Sequence, residues 1–144
     1  MNGHQMQKEQ SRQLIEEALF ALMKEKPYEE ISVSEIAKRA DVARRTFYRL
    51  YSGKEEVIPG YFDRLCKDYQ TACRPVKGYD PEQIAIEFFT FWYEYKEFLL
   101  LLYQCGLESM LYLGMNRASE YVIRKRIGEH PLQQMPELIY FIEY

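Results

Sequence analysis

Two Ser-x-x-Glu boxes, Ser32-Val33-Ser34-Glu35 and Ser52-Gly53-Lys54-Glu55, stand twenty residues apart, and the chain between them has room for two short helices and a turn. In each box the serine hydroxyl can cap a helix start while the glutamate reaches back to the serine backbone N–H. After Ser32, residues Val33, Ile36, Ala37 and Ala40 fall on one helical face. A break at Asp41-Val42 follows, and a third helix from about Ala43 to Tyr51 would bring Phe47, Leu50 and Tyr51 together. The small alanines let the two helices approach closely, the geometry of a helix-turn-helix. Upstream, Ile15, Ala18, Leu19, Leu22 and Met23 keep the i, i+3, i+4, i+7 pattern of a first helix that stops before Pro27. A fourth helix opens at the second box and runs toward Arg74, kinked or delayed by Pro59.

No segment alternates apolar and polar residues long enough to form a strand, so the expected fold is all-α. Pro and Gly in Arg74-Pro75-Val76-Lys77-Gly78-Tyr79 interrupt the periodicity and mark a boundary. The division expected is a helix-turn-helix head with its linking fourth helix over 1–74, and a second helical domain over 75–144, whose regulatory and dimerisation role is what the family resemblance given below implies. Asp80-Pro81-Glu82 reads as an N-cap, a proline at the first helical position and an acid in the first turn. The remainder is expected to be helical, punctuated by Gly106, Gly128 and Pro131, with His130 as a helix-end cation. From Pro75 onward there are 14 aromatic residues in 70, with Phe88, Phe89, Phe91, Trp92, Tyr93 and Tyr95 expected in one helix. So dense a stripe exceeds what one helix face buries alone and could line a ligand cavity. The apolar Pro136–Tyr144 segment ends without a capping signal, which leads us to expect a body truncated at its C-terminus.

The net charge of −3 conceals a local excess. Between Lys38 and Lys54 stand Lys38, Arg39, Arg44, Arg45, Arg49 and Lys54 against Asp41 alone, an electrostatic footprint for a polyanion. At about 100° per residue, Arg45 and Arg49 lie nearly opposite Phe47, with Thr46 and Tyr48 flanking them and Arg44 toward the edge of the core face. A helix in the major groove aims its outermost residues at base edges and its flanks at the phosphate walls. Arg45 and Arg49, with Arg44 beside them, are therefore the candidate base readers, since an arginine fork can donate twice to guanine. Thr46 and Tyr48 offer hydroxyl donors to phosphate, and Lys54 adds charge to the free backbone N–H groups near Gly53.

Other classes find little support. There is no glycine-rich nucleotide loop, no His-Glu-x-x-His and no Gly-x-Ser-x-Gly, and Gly53-Lys54 lacks the upstream glycine of a P-loop, so no enzyme is expected. Cys66, Cys73 and Cys105 form no metal-type pair and leave an odd thiol in any disulfide scheme, so they read as reduced, packed cysteines with no cofactor or metal implied. The longest apolar run, Phe98–Tyr103, is far short of a membrane span, and the polar start has no signal-peptide core, which points to the cytoplasm. The alternative is a helical protein-interaction module keeping a helix-turn-helix only as structure. It should have lost its surface basic residues, and Arg44, Arg45, Arg49 and Lys54 are present.

Ser32-Val33-Ser34-Glu35-Ile36-Ala37, Val42, Thr46-Phe47-Tyr48, Tyr51 and Lys54-Glu55-Glu56-Val57 together resemble the head of the tetracycline-repressor (TetR) family, over about Ser11 to Leu65. The resemblance implies a homodimer with a helical ligand-binding body, usually a repressor that leaves its palindromic DNA operator when a small molecule binds. It places phosphate contacts on Thr46, Tyr48, Lys54 and, near the start of the second helix, Ser34. Three positions depart from the family pattern. Asp41 stands where glycine is usual, Ala43 where a serine or threonine cap is usual, and Arg45 where glycine is frequent. Asp can take the left-handed turn conformation. Ala43 forfeits a side-chain cap worth about 1 kcal/mol.

Overall fold

The computed structural model describes residues 3–72 and 81–122. Among these the fold is all-α, with seven helices: α1 Gly3–Met23, α2 Val33–Arg39, α3 Arg44–Leu50, α4 Val57–Ala72, α5 Pro81–Tyr93, α6 Lys96–Gln104 and α7 Glu108–Tyr121. Short 3₁₀ turns at Tyr28–Glu30 and Lys54–Glu56 precede α2 and α4. Gly128, His130, Pro131 and the Pro136–Tyr144 segment lie outside the described residues, as do Cys73 and the stretch from Arg74 to Asp80.

The first box closes as expected: the Glu35 backbone N–H donates to the Ser32 hydroxyl, and the Glu35 carboxylate accepts from the Ser32 N–H at 2.9 Å. The second box is shifted by one residue. The Ser52 N–H donates to Glu56 rather than Glu55, at 2.8 Å, because a 3₁₀ turn is interposed before α4 begins at Val57. Pro59 falls in the first turn of α4, where its missing N–H has no intrahelical partner to lose. The tight turn between α2 and α3 passes through Asp41 at φ 52°, so an aspartate does take the left-handed position. Ala43 starts α3 without a side-chain cap.

One continuous core joins the helices of the head to those that follow. Ile15, Leu19, Ile36, Phe47, Val57, Ile58, Phe62 and Leu102 are all buried within it, together with Trp92 and Phe98. A smaller cluster of Tyr69, Ile84 and Val122 lies alongside. The aromatic run expected as one helix holds as far as Tyr93, where α5 ends; i→i+3 bonds from Glu94 and Tyr95 turn the chain there, so that Tyr95 stands at the N-cap of α6 instead. No glycine or proline forces that break; it lets Trp92 and Phe98 enter the same core from successive helices. The next break, at Gly106 with φ 70°, is one that the glycine permits. Cys66 is buried and Cys105 half-buried, both as free thiols.

α7 meets α4 through a glycine. A Cβ on Gly114 would run into the Phe62 ring, so the helix backbone lies directly against the aromatic face. Beside it, Arg117 on α7 pairs with Asp63 on α4 at 2.7 Å. Gly114→Ala is expected to lower stability by about 1–3 kcal/mol through overpacking, despite alanine's better helix propensity. Phe62→Leu in the same chain should recover part of that loss. Urea unfolding of the single and double variants measures both, and an unchanged or raised midpoint for Gly114→Ala would show that α4 and α7 are not packed this tightly.

Candidate nucleic-acid interface

Phe47 anchors the reading helix. It is fully buried, with the rings of Tyr48 and Tyr51 at 5.6 and 5.8 Å. Leu50 is half-buried and Tyr51 buried, so the core face of α3 is the one the helical wheel indicates. That leaves Arg44, Arg45, Tyr48 and Arg49 exposed and Thr46 half-buried. Arg45 and Arg49 make no ion pair or side-chain hydrogen bond among the described residues, which keeps both forks available. Arg44 differs. Its guanidinium stands 5.8 Å from the Tyr48 ring centre, with Nη2 3.5 Å from the Tyr48 hydroxyl. Ser34, the second residue of α2, is exposed on the same head.

Two more of the six cations in the basic stretch are engaged within the protein. Arg39 pairs with Glu25, two residues past the end of α1. Lys54, expected on a phosphate, is turned inward. Its ammonium donates to the carbonyls of Tyr28, Glu29 and Ile31 at 2.7, 3.1 and 2.8 Å and sits 4.6 Å from the Tyr28 ring centre. All three of its N–H donors are thus taken, and a phosphate could recruit this side chain only by displacing a carbonyl. The backbone N–H groups beside it are also less inviting to an anion than the sequence suggests, because the Glu56 carboxylate already occupies the Ser52 N–H. Lys54 instead fastens the 3₁₀ turn before α2 to the one before α4. The signal for this was absent from local sequence: Lys54 and Tyr28 are twenty-six residues apart.

The far end of α3 is held by a buried carboxylate that periodicity alone did not single out. Glu16 on α1 is 2% exposed, yet it bears a charge-forming group. Its Oε1 accepts from the Tyr51 hydroxyl at 3.2 Å, and its Oε2 meets the Arg64 guanidinium of α4 in an ion pair. Burial raises the Glu16 carboxyl above its ordinary value, against the opposing pull of Arg64 and Tyr51. Burial likewise raises the Tyr51 hydroxyl, with the Glu16 charge adding to it. Glu9 also reaches Arg64, at 3.4 Å. The one sequence clue was a glutamate in register with Leu19 and Met23 on the apolar stripe of α1.

Glu35 carries a pH dependence of opposite sign. Hydrogen bonding from Lys26, then from the Ser32 backbone and hydroxyl, lowers its carboxyl from 4.5 to about 2. A depressed folded-state value contributes stability that is present above 4.5 and is lost as pH falls toward about 2. Acid unfolding followed by circular dichroism should therefore show a head that weakens over that interval, with a shallower slope in Glu35→Gln. Lys54→Met should lower stability by about 1–3 kcal/mol at neutral pH, since it strips three carbonyls of a charged donor. A Lys54→Met protein as stable as the parent in urea would mean that the ammonium is not holding the two turns together.

Residues 15–59, about a third of the chain, match the family model described as bacterial regulatory proteins, tetR family. The matched stretch begins at buried Ile15, takes in α2, the Asp41 turn and α3, and ends in the first turn of α4. Comparisons with curated proteins and with solved structures return no significant match. No helix among the described residues is long and apolar enough to cross a membrane. The helix-turn-helix geometry and the family match agree over residues 15–59, and this head is similar to the DNA-binding head of bacterial regulatory proteins of the tetR family.

Proposed function

We propose that the protein binds a palindromic operator as a homodimer, acts as a repressor, and is released by a small molecule held among the helices of its body. The observation that carries the DNA-reading part is the pair of exposed, unpaired forks Arg45 and Arg49 on a helix whose opposite face is locked by Phe47 and Tyr51. With α3 in a major groove, the two arginines read base edges and Arg44, braced on Tyr48, reaches the neighbouring base or backbone. Thr46, Tyr48 and Ser34 hold phosphates. Lys54 contributes by fixing the turn in front of α4 and only indirectly by its charge.

The dimer follows from the size of the reader. One seven-residue helix contacts too few bases for a useful site, and a two-fold protein reads a two-fold site. Ligand control is supported by the aromatic rings gathered around α5 and α6, where Phe88, Phe91 and Tyr95 are only half-buried. The body over 75–144 is where both dimerisation and ligand binding are placed in this reading.

Arg45→Ala and Arg49→Ala should each weaken the specific site by about 1–3 kcal/mol and random DNA much less. Fluorescence anisotropy on operator and scrambled duplexes at several salt concentrations reads the difference. Equal losses on both duplexes would make these arginines phosphate clamps and would move base reading to Arg44, Thr46 or Tyr48. Light scattering should give a dimer at micromolar concentration. A monomer that binds the operator undiminished would end the homodimer reading.

A further inference from the structure

Trp92 places a hydrogen-bond donor where nothing among the described residues receives it. The side chain is 3% exposed, and its Nε1–H has no hydrogen-bond partner there. An indole nitrogen can only donate, so the group cannot be satisfied by another donor nearby. Its surroundings are rings: Phe91 at 5.5 Å, Phe62 at 6.0 Å, and Phe88 and Tyr95 at 6.3 Å between centroids. Three of those four rings carry no polar atom. A buried water needs two or more polar partners, and this lining supplies few. Buried donors in folded proteins are almost always paired, and an orphan calls for an explanation.

The position of Trp92 supplies one. Phe88 and Phe91 pack against both the main core and the Tyr69–Ile84–Val122 cluster, so they form the seam between two packed groups. Both are half-buried, and the adjacent Phe89 is 69% exposed. A molecule entering along this seam would part rings of α5 from one another and meet the indole N–H at the bottom. We propose that Trp92 Nε1 is the polar anchor of a small-molecule site, and that its ligand is a neutral, largely aromatic compound presenting one hydrogen-bond acceptor such as a carbonyl oxygen. A neutral ligand is favoured because three of the four rings around the indole carry no polar atom to meet a charge. The proposal rests on the ligand-control reading above and gives that ligand its chemical class.

The chain has a single tryptophan, so an intact protein labelled with nitrogen-15 at the indole shows one indole N–H signal. Acetophenone and α-methylstyrene are near-isosteric probes that differ by a carbonyl oxygen against a methylene group. Acetophenone is expected to move the indole proton downfield and saturably, and to bind about tenfold more tightly than α-methylstyrene, the worth of one hydrogen bond to a buried donor. In Trp92→Phe, which keeps a ring at the site, calorimetry should find the two probes bound alike. The proposal is overturned if the probes bind the parent protein equally, if acetophenone at its solubility limit leaves the indole signal in place, or if Trp92→Phe keeps the preference. The parent protein decides the first two, so a variant that fails to fold does not rescue the idea. Operator affinity is measured separately by anisotropy. Acetophenone that engages the indole without altering operator affinity upholds the site and removes ligand release, whereas a compound that releases operator without touching the indole signal upholds release and removes Trp92 as its anchor.

Discussion

A carboxylate buried at Glu16 has to be compensated, and the way this chain does so ties three helices into one unit. The ion pair with Arg64 and the hydrogen bond from Tyr51 join α1 to α4 and to the residue that closes α3. Removing Arg64 would leave an uncompensated charge in the core, which is far more damaging than never having placed the pair there. The gain is therefore better sought in geometry than in stability. The angle of the reading helix is set at its start by the Asp41 turn, at its middle by Phe47 and at its end by Tyr51 on Glu16.

The same turn of α4 that supplies Arg64 also supplies Phe62 and Asp63. Phe62 lies against Gly114 and Asp63 pairs with Arg117, so consecutive residues face α7 on one side and the head on the other. A displacement of α7 would be felt at Phe62, because packed aromatic contacts resist gradual deformation. Arg64 and Glu16 continue this chain of contacts to Tyr51 at the end of α3.

The basic footprint divides in the same spirit. Lys54 and Arg39 place their donors on carbonyls and on Glu25, while Arg45 and Arg49 make no side-chain hydrogen bond or ion pair among the described residues. The N–H donors left open in the basic stretch are therefore fewer than its six cations imply.

What local sequence determined was everything governed by periodicity and by contacts a few residues apart. The Ser32–Glu35 box, the break at Asp41, the burial of Phe47 and Tyr51 and the exposure of Arg45 and Arg49 follow from spacing alone. Tertiary structure decided the rest. The inward turn of Lys54 depends on carbonyls more than twenty residues away, and the acceptability of Glu16 depends on Arg64, forty-eight positions along the chain. The break at Glu94-Tyr95 has no glycine or proline to announce it, and it exists because two successive helices must deliver Trp92 and Phe98 to one core. A hydrogen bond or a packing contact between distant residues leaves no periodic trace, since it fixes only which side chains meet and not how often they recur.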